Sequence, residues 1–123
     1  MSNELKRIAV YGSLRKGMSN HRLIKDAQYV DTHIVSLPMK MISYGAFPAL
    51  IPSQERHEVV IETYDLNPRE YADVECLEGY PHFYDKYEFT EPNGQPCEIY
   101  FVPKDTDTGA EHIVDWVKYK SNR

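Results

Sequence analysis

Apolar and polar positions first separate near the N-terminus, where Ile8, Ala9 and Val10 run together into Tyr11-Gly12-Ser13-Leu14-Arg15-Lys16-Gly17. A short apolar run bounded by turn residues reads as a buried strand, here over 7–11. The two glycines mark a turn over 12–18. Ser19 or Asn20 then caps a short helix over about 20–27. Residues 29–44 alternate loosely and carry Val30, Ile34, Val35, Leu37, Met39, Met41, Ile42 and Tyr44. That pattern gives one long bent strand or two shorter ones, with Pro38 at an edge or a bulge. Gly45 to Leu50 is a turn into a short apolar segment, and the β-branched run over 57–65 is a further strand.

Asn67-Pro68-Arg69-Glu70 combines an N-cap, a first-turn proline and a capping-box acid, and Gly79 supplies a left-handed exit. The helix therefore spans about 68–78. Residues 84–90 and 96–102 flank Asn93-Gly94, a pair suited to a type I′ hairpin turn. Pro92 and Pro96 limit pairing near it and lengthen the connection. Thr108-Gly109-Ala110-Glu111 reads as another capping box, starting a C-terminal helix with Ile113, Val114, Trp116 and Val117 on one side and a solvated tail from Lys118. Five to seven strands and two or three short helices, without regular alternation, give an α+β fold on a mostly antiparallel sheet that can close into a small barrel.

Composition narrows this picture. A chain of 123 residues with 41% hydrophobic and 27% charged positions suits one domain over 1–123, with a core that needs no staples. The net charge of −5 argues against a general nucleic-acid binder. Cys76 and Cys97 make no disulfide framework and read as free thiols in a reducing compartment. Residues 1–7 lack the apolar core of a signal peptide, and no apolar run nears the ~20 residues that span a bilayer. The expectation is a soluble, cytoplasmic protein without a membrane partner. The five histidines (His21, His33, His57, His82 and His112) show no close ligand pairing, so no metal site is expected.

Two segments carry candidate chemistry. Backbone N–H groups in the glycine turn can converge on a carboxylate or a developing oxyanion. Glu78 lies between Val74 and Tyr71 on the helix face that also holds Leu77, in the last turn where the dipole is negative. Burial and dipole both raise a carboxyl's pKa, which suits a proton shuttle. A solvated acid at a fraying helix end satisfies the same spacing. Tyr11 and Tyr84 serve as pocket walls, hydroxyl donors or core aromatics. Arg15 either attracts an acidic substrate or is a solvated loop arginine. Residues 12–19 nearly spell a P-loop, but Met18 stands where the phosphate-binding lysine belongs. Ser13 has no recognisable His and acid partners, and Cys76 has no His partner.

Together these segments resemble the γ-glutamylcyclotransferase-like (AIG2-like) family. Its strand followed by Tyr-Gly-Ser/Thr-Leu-Arg and Gly-x-x-Asn is matched by Val10 to Arg15 and Gly17 to Asn20. Its Leu-Asp-x-Leu-Glu-Gly-Tyr is matched by Val74 to Tyr80, ahead of Phe83-Tyr84, and its Tyr-Pro-Ala by Phe47-Pro48-Ala49. Val74-Glu75 departs mildly, and Asp85-Lys86 follows Tyr84 where basic residues are usual. The resemblance, over roughly 7–102, implies a small mixed, mostly antiparallel β-barrel with two or three short helices packed outside. It implies cyclisation of a small γ-glutamyl amine or amide to 5-oxoproline with release of an amine and no cofactor. Its catalytic acid maps onto Glu78 and its substrate-binding loop onto Tyr11, Gly12, Ser13 and Leu14, with Tyr84 beside it. A non-catalytic protein of the same fold, binding a small carboxylate or acting as an interaction module, is the alternative. Neither the leaving amine nor the oligomeric state is encoded legibly.

Overall fold

The computed structural model describes residues 4–104 and 109–121. The elements run β1 (Lys6–Val10), a 3₁₀ turn (His21–Ile24), β2 (Gln28–Ser43), β3 (Pro48–Leu66), α1 (Pro68–Glu78), β4 (Asp85–Thr90), β5 (Pro96–Phe101) and α2 (Trp116–Ser121). The strands form one sheet in the order β2-β3-β1-β5-β4. Only the β1–β5 pair is parallel; the other neighbours are antiparallel. The sheet curls, and Val102 N–H donates to Leu50 O at 2.8 Å, tying the end of β5 to the start of β3. No ladder joins the edge strands β2 and β4, so the barrel is open.

Alternation along the strands buries both faces. Ile8, Val10, Ile51, Tyr64 and Leu66 pack with Val74 of α1 and with Tyr84 and Tyr100. Ala9, Tyr11, Met41, Leu50, Ile61 and Ile99 pack with Ile113 and Trp116. Period-two side chains of a strand belong to opposite faces, which is why consecutive residues of β1 enter different clusters.

The β2–β3 hairpin is longer than expected: 57–65 and the segment after Phe47 form one strand. Register shifts fall between Tyr29 and Asp31 and between Leu37 and Met39, the second of which holds Pro38. Proline lacks the N–H a ladder needs, so the bend belongs there. Helix α1 has the predicted limits. Asn67 and Glu70 complete a reciprocal capping box, and Gly79 exits at φ 67°.

Three expectations are corrected. The helix after Ser19-Asn20 is only a 3₁₀ turn over four residues. In the β4–β5 connection only Gly94 has positive φ, whereas a type I′ turn needs Asn93 positive as well. Gly94 N–H donates to Glu91 O and Glu91 N–H to Gln95 O, closing a longer loop. Thr108 lies outside the described residues, and α2 starts only at Trp116. Upstream of it the backbone is used sideways: Ile113 N–H donates to Met41 O and Val60 N–H to Val114 O. Those bonds to the sheet displace helical bonding until Asp115, whose Oδ1 accepts from Lys118 N–H at 3.1 Å.

Candidate functional site

The turn after β1 spends its carbonyls inward. Gly12 O accepts from Arg15 N–H at 3.0 Å, Ser13 O from Asn20 N–H at 2.9 Å, and Leu14 O lies 2.9 Å from His21 Nδ1. Asn20 Nδ2 also donates to Ser13 Oγ at 2.9 Å, holding the side chain of Ser13 to the turn. The N–H groups of Gly12, Ser13 and Leu14 have no partner among the described residues. Glycine at 12 has a steric cause: a Cβ there would lie 2.6 Å from Pro48 Cγ. The first residue of β3 thus packs directly on the turn.

These residues, with Ala9, Val10, Tyr11, Phe47, Pro48, Glu78 and Tyr100, line a cavity of about 40 Å³, room for roughly three waters. Exposed Phe47 marks its solvent side. Glu78 reaches it from the last turn of α1. Its carboxyl makes no hydrogen bond or ion pair with a described residue. Burial alone pushes its pKa up to about 7. The helix face is less apolar than its spacing suggests, because Val74 is fully buried but Leu77 is 41% exposed.

The tyrosines divide by what their hydroxyls hold. Tyr11 Oη donates to Tyr100 O at 2.8 Å and accepts from Leu50 N–H at 3.2 Å. Tyr84 Oη donates to Pro48 O at 3.1 Å, and Tyr84 does not line the cavity. Tyr100, only 3% exposed, has a buried hydroxyl with no partner. Burial pushes the pKa of all three phenols up, and nearby Glu78 adds to this, so each is a proton donor at neutral pH. Nothing in the sequence marks Tyr100, which sits in a plain strand between Ile99 and Phe101.

Arg15 is neither solvated nor open to substrate. It is 6% exposed and pairs with Glu62 at 2.9 Å and Asp115 at 2.8 Å. Cys76 is exposed, Cys97 buried, and both are free. Among the described residues no group of three His, Cys, Asp or Glu side chains could hold a metal, and no helix is long and apolar enough to cross a membrane. The cavity brings together one carboxyl titrating near neutrality and a turn whose three main-chain N–H groups have no partner among the described residues. That set can bind an anion, stabilise an oxyanion and move one proton.

Residues 8–119 match the profile of the family described as Gamma-glutamyl cyclotransferase, AIG2-like. A protein of Methanocaldococcus jannaschii, named as a candidate gamma-glutamylcyclotransferase, is 28% identical over 102 residues, covering 79% of this chain and 84% of its own. The fold is similar to the crystal structure of an AIG2-like protein from Mus musculus, with a TM-score of 0.79 and 19% identity over 92% of this chain and 88% of that one. It is also similar to an uncharacterised protein from Pyrococcus horikoshii, with a TM-score of 0.78 and 18% identity over 95% and 94%.

Proposed function

The chain belongs to the Gamma-glutamyl cyclotransferase, AIG2-like family, and from that premise we propose that it cyclises a small γ-glutamyl amine or amide to 5-oxoproline and frees the amine. One observation carries the reading: the Glu78 carboxyl and the partnerless N–H groups of Gly12, Ser13 and Leu14 share one cavity.

The substrate's α-amine attacks its own γ-carbonyl carbon, so the nucleophile is tethered and orientation supplies much of the acceleration. Ionised Glu78 takes the amine proton as the ring C–N bond forms. The carbonyl oxygen becomes an oxyanion against the turn's N–H groups, each donor contributing on the order of 10²–10³ in rate. Glu78 then gives its proton to the leaving nitrogen as the old amide C–N bond breaks. A carboxyl titrating near 7 serves both transfers at neutral pH. The roles of Tyr11 and Tyr84 are to hold the main chain at Leu50, Pro48 and Tyr100.

The cavity is small, about 40 Å³, and opens to solvent beside Phe47. The same small volume favours the second reading, a binder of small carboxylates without turnover. A panel of γ-glutamyl amines and dipeptides separates the two. Release of 5-oxoproline by the wild type and its collapse in Glu78→Gln support the enzyme. Equal ligand binding by both forms with no turnover by either supports the binder.

A further inference from the structure

A buried chain of ion pairs and hydrogen bonds links the turn that lines the cavity to the segment just before α2. Glu62, in the middle of β3, is 5% exposed. Its Oε2 accepts from Arg15 Nε at 2.9 Å, and its Oε1 from Lys16 N–H at 3.0 Å and Tyr64 Oη at 2.9 Å. Arg15 Nη1 continues to Asp115 Oδ1 at 2.8 Å, the same oxygen that caps α2. Arg15 N–H also closes the turn onto Gly12 O. One residue therefore joins the donor turn to a central strand and to a segment 100 positions away.

We propose that Arg15 is a positioning residue: held between Glu62 and Asp115, it fixes the aim of the Gly12–Leu14 donors and makes their alignment depend on the docked C-terminal segment. The inference rests on the cyclase reading for its kinetic consequence and on geometry alone for its structural one. The chemistry demands arginine. Nε and Nη1 donate in two directions from one rigid plane, whereas a lysine is a single point charge on a flexible stem. A turn with three unpartnered N–H groups has few restraints of its own, since those groups must stay open for ligand. Its direction is set by the carbonyl bonds and by the two contacts to Glu62 at its exit, from Arg15 Nε and Lys16 N–H.

The test compares wild type, Arg15→Lys and Asp115→Asn. Asp115→Asn is the milder variant, since its side chain is 28% exposed and only the Nη1 arm is weakened. Two readouts are taken on folded protein: steady-state release of 5-oxoproline, and ¹H–¹⁵N shifts of Gly12, Ser13 and Leu14 during titration with 5-oxoproline. In Arg15→Lys, kcat is expected to fall about 10–100-fold, the loss of up to one oxyanion donor, with KM changed less than threefold. The pH at which kcat is half-maximal, set by Glu78, should not move. Asp115→Asn should lose about three- to tenfold in kcat, with the three amide shifts displaced before ligand is added. Wild-type kcat and unmoved amide shifts in Asp115→Asn overturn the proposal. So does a loss of activity in Arg15→Lys matched by the loss of folded fraction. An inactive wild type removes the cyclase reading; displaced amides and weaker 5-oxoproline binding in the variants would then still support the positioning role, and unchanged ones would refute it.

Discussion

Two acids stand near the turn after β1, Glu62 buried in β3 and Glu78 half-buried at the end of α1, and the molecule treats them oppositely. Glu62 is given a guanidinium, a main-chain N–H and a phenol. Glu78 is given no hydrogen-bond or ion-pair partner among the described residues, only a place in the cavity. A buried charge with partners stabilises its surroundings as a unit, and removing one member leaves the others uncompensated. A buried acid without them keeps its proton to a higher pH and becomes a reagent. The contrast teaches where this fold spends stability. Glu62 anchors the turn, and Glu78 is left poised beside the donors that the anchored turn presents.

Breaking the contrast from the Glu78 side has the largest expected effect. Glu78→Gln removes the proton shuttle and should lower 5-oxoproline formation by about 10²–10⁴, with the circular dichroism spectrum unchanged. Neutralising the other acid should do the reverse. Glu62→Ala removes one of the two acids paired with Arg15 and should cost about 3 kcal/mol of unfolding free energy, read from urea denaturation, whereas Glu78→Ala should leave stability equal or higher near pH 8.

The titration of Glu78 sharpens the same comparison. Its folded pKa, about 7, lies above the ordinary carboxylate value of 4.5. The folded state therefore binds a proton more tightly than the unfolded chain. That stabilisation is complete below pH 4.5 and is lost as pH rises through 7, on the order of 2–3 kcal/mol. Wild type minus Glu78→Gln stability, measured from pH 4 to 9, should decline over that window. A flat difference would place the carboxyl in water. The rate should rise over the same range as the base ionises.

The smallest effects separate the tyrosines. Tyr100→Phe should leave the melting temperature unchanged or slightly raised, because the lost hydroxyl is buried and held no protein group. Tyr11→Phe should cost about 1–2 kcal/mol of stability, since Tyr100 O and Leu50 N–H both lose a partner.

Local signals were readable where local physics decides. The limits of α1 follow from Asn67, Pro68, Glu70 and Gly79, and the structure has them. Glu78 was visible as an acid on the Val74 side of that helix, and the glycine turn as a donor loop. Long-range partnership was not readable. The Arg15 side chain finds acids 47 and 100 positions away, so it looked like any loop arginine. The C-terminal segment carries a helical pattern, yet Met41 and Val60 claim its backbone first and delay α2 to Trp116. The hydroxyls of Tyr11, Tyr84 and Tyr100 differ only in which main-chain atoms lie opposite them, which no spacing encodes.

The contact between Gly12 and Pro48 carries a practical consequence for redesign. One side of the proposed substrate cavity is main chain abutting a pyrrolidine ring, where even a methyl group has no room. That wall has no rotamers to trade, so trimming it cannot admit a bulkier amine. Altered selectivity is then expected from exposed Phe47, which lines the same cavity and can be trimmed without touching Gly12, Ser13 or Leu14.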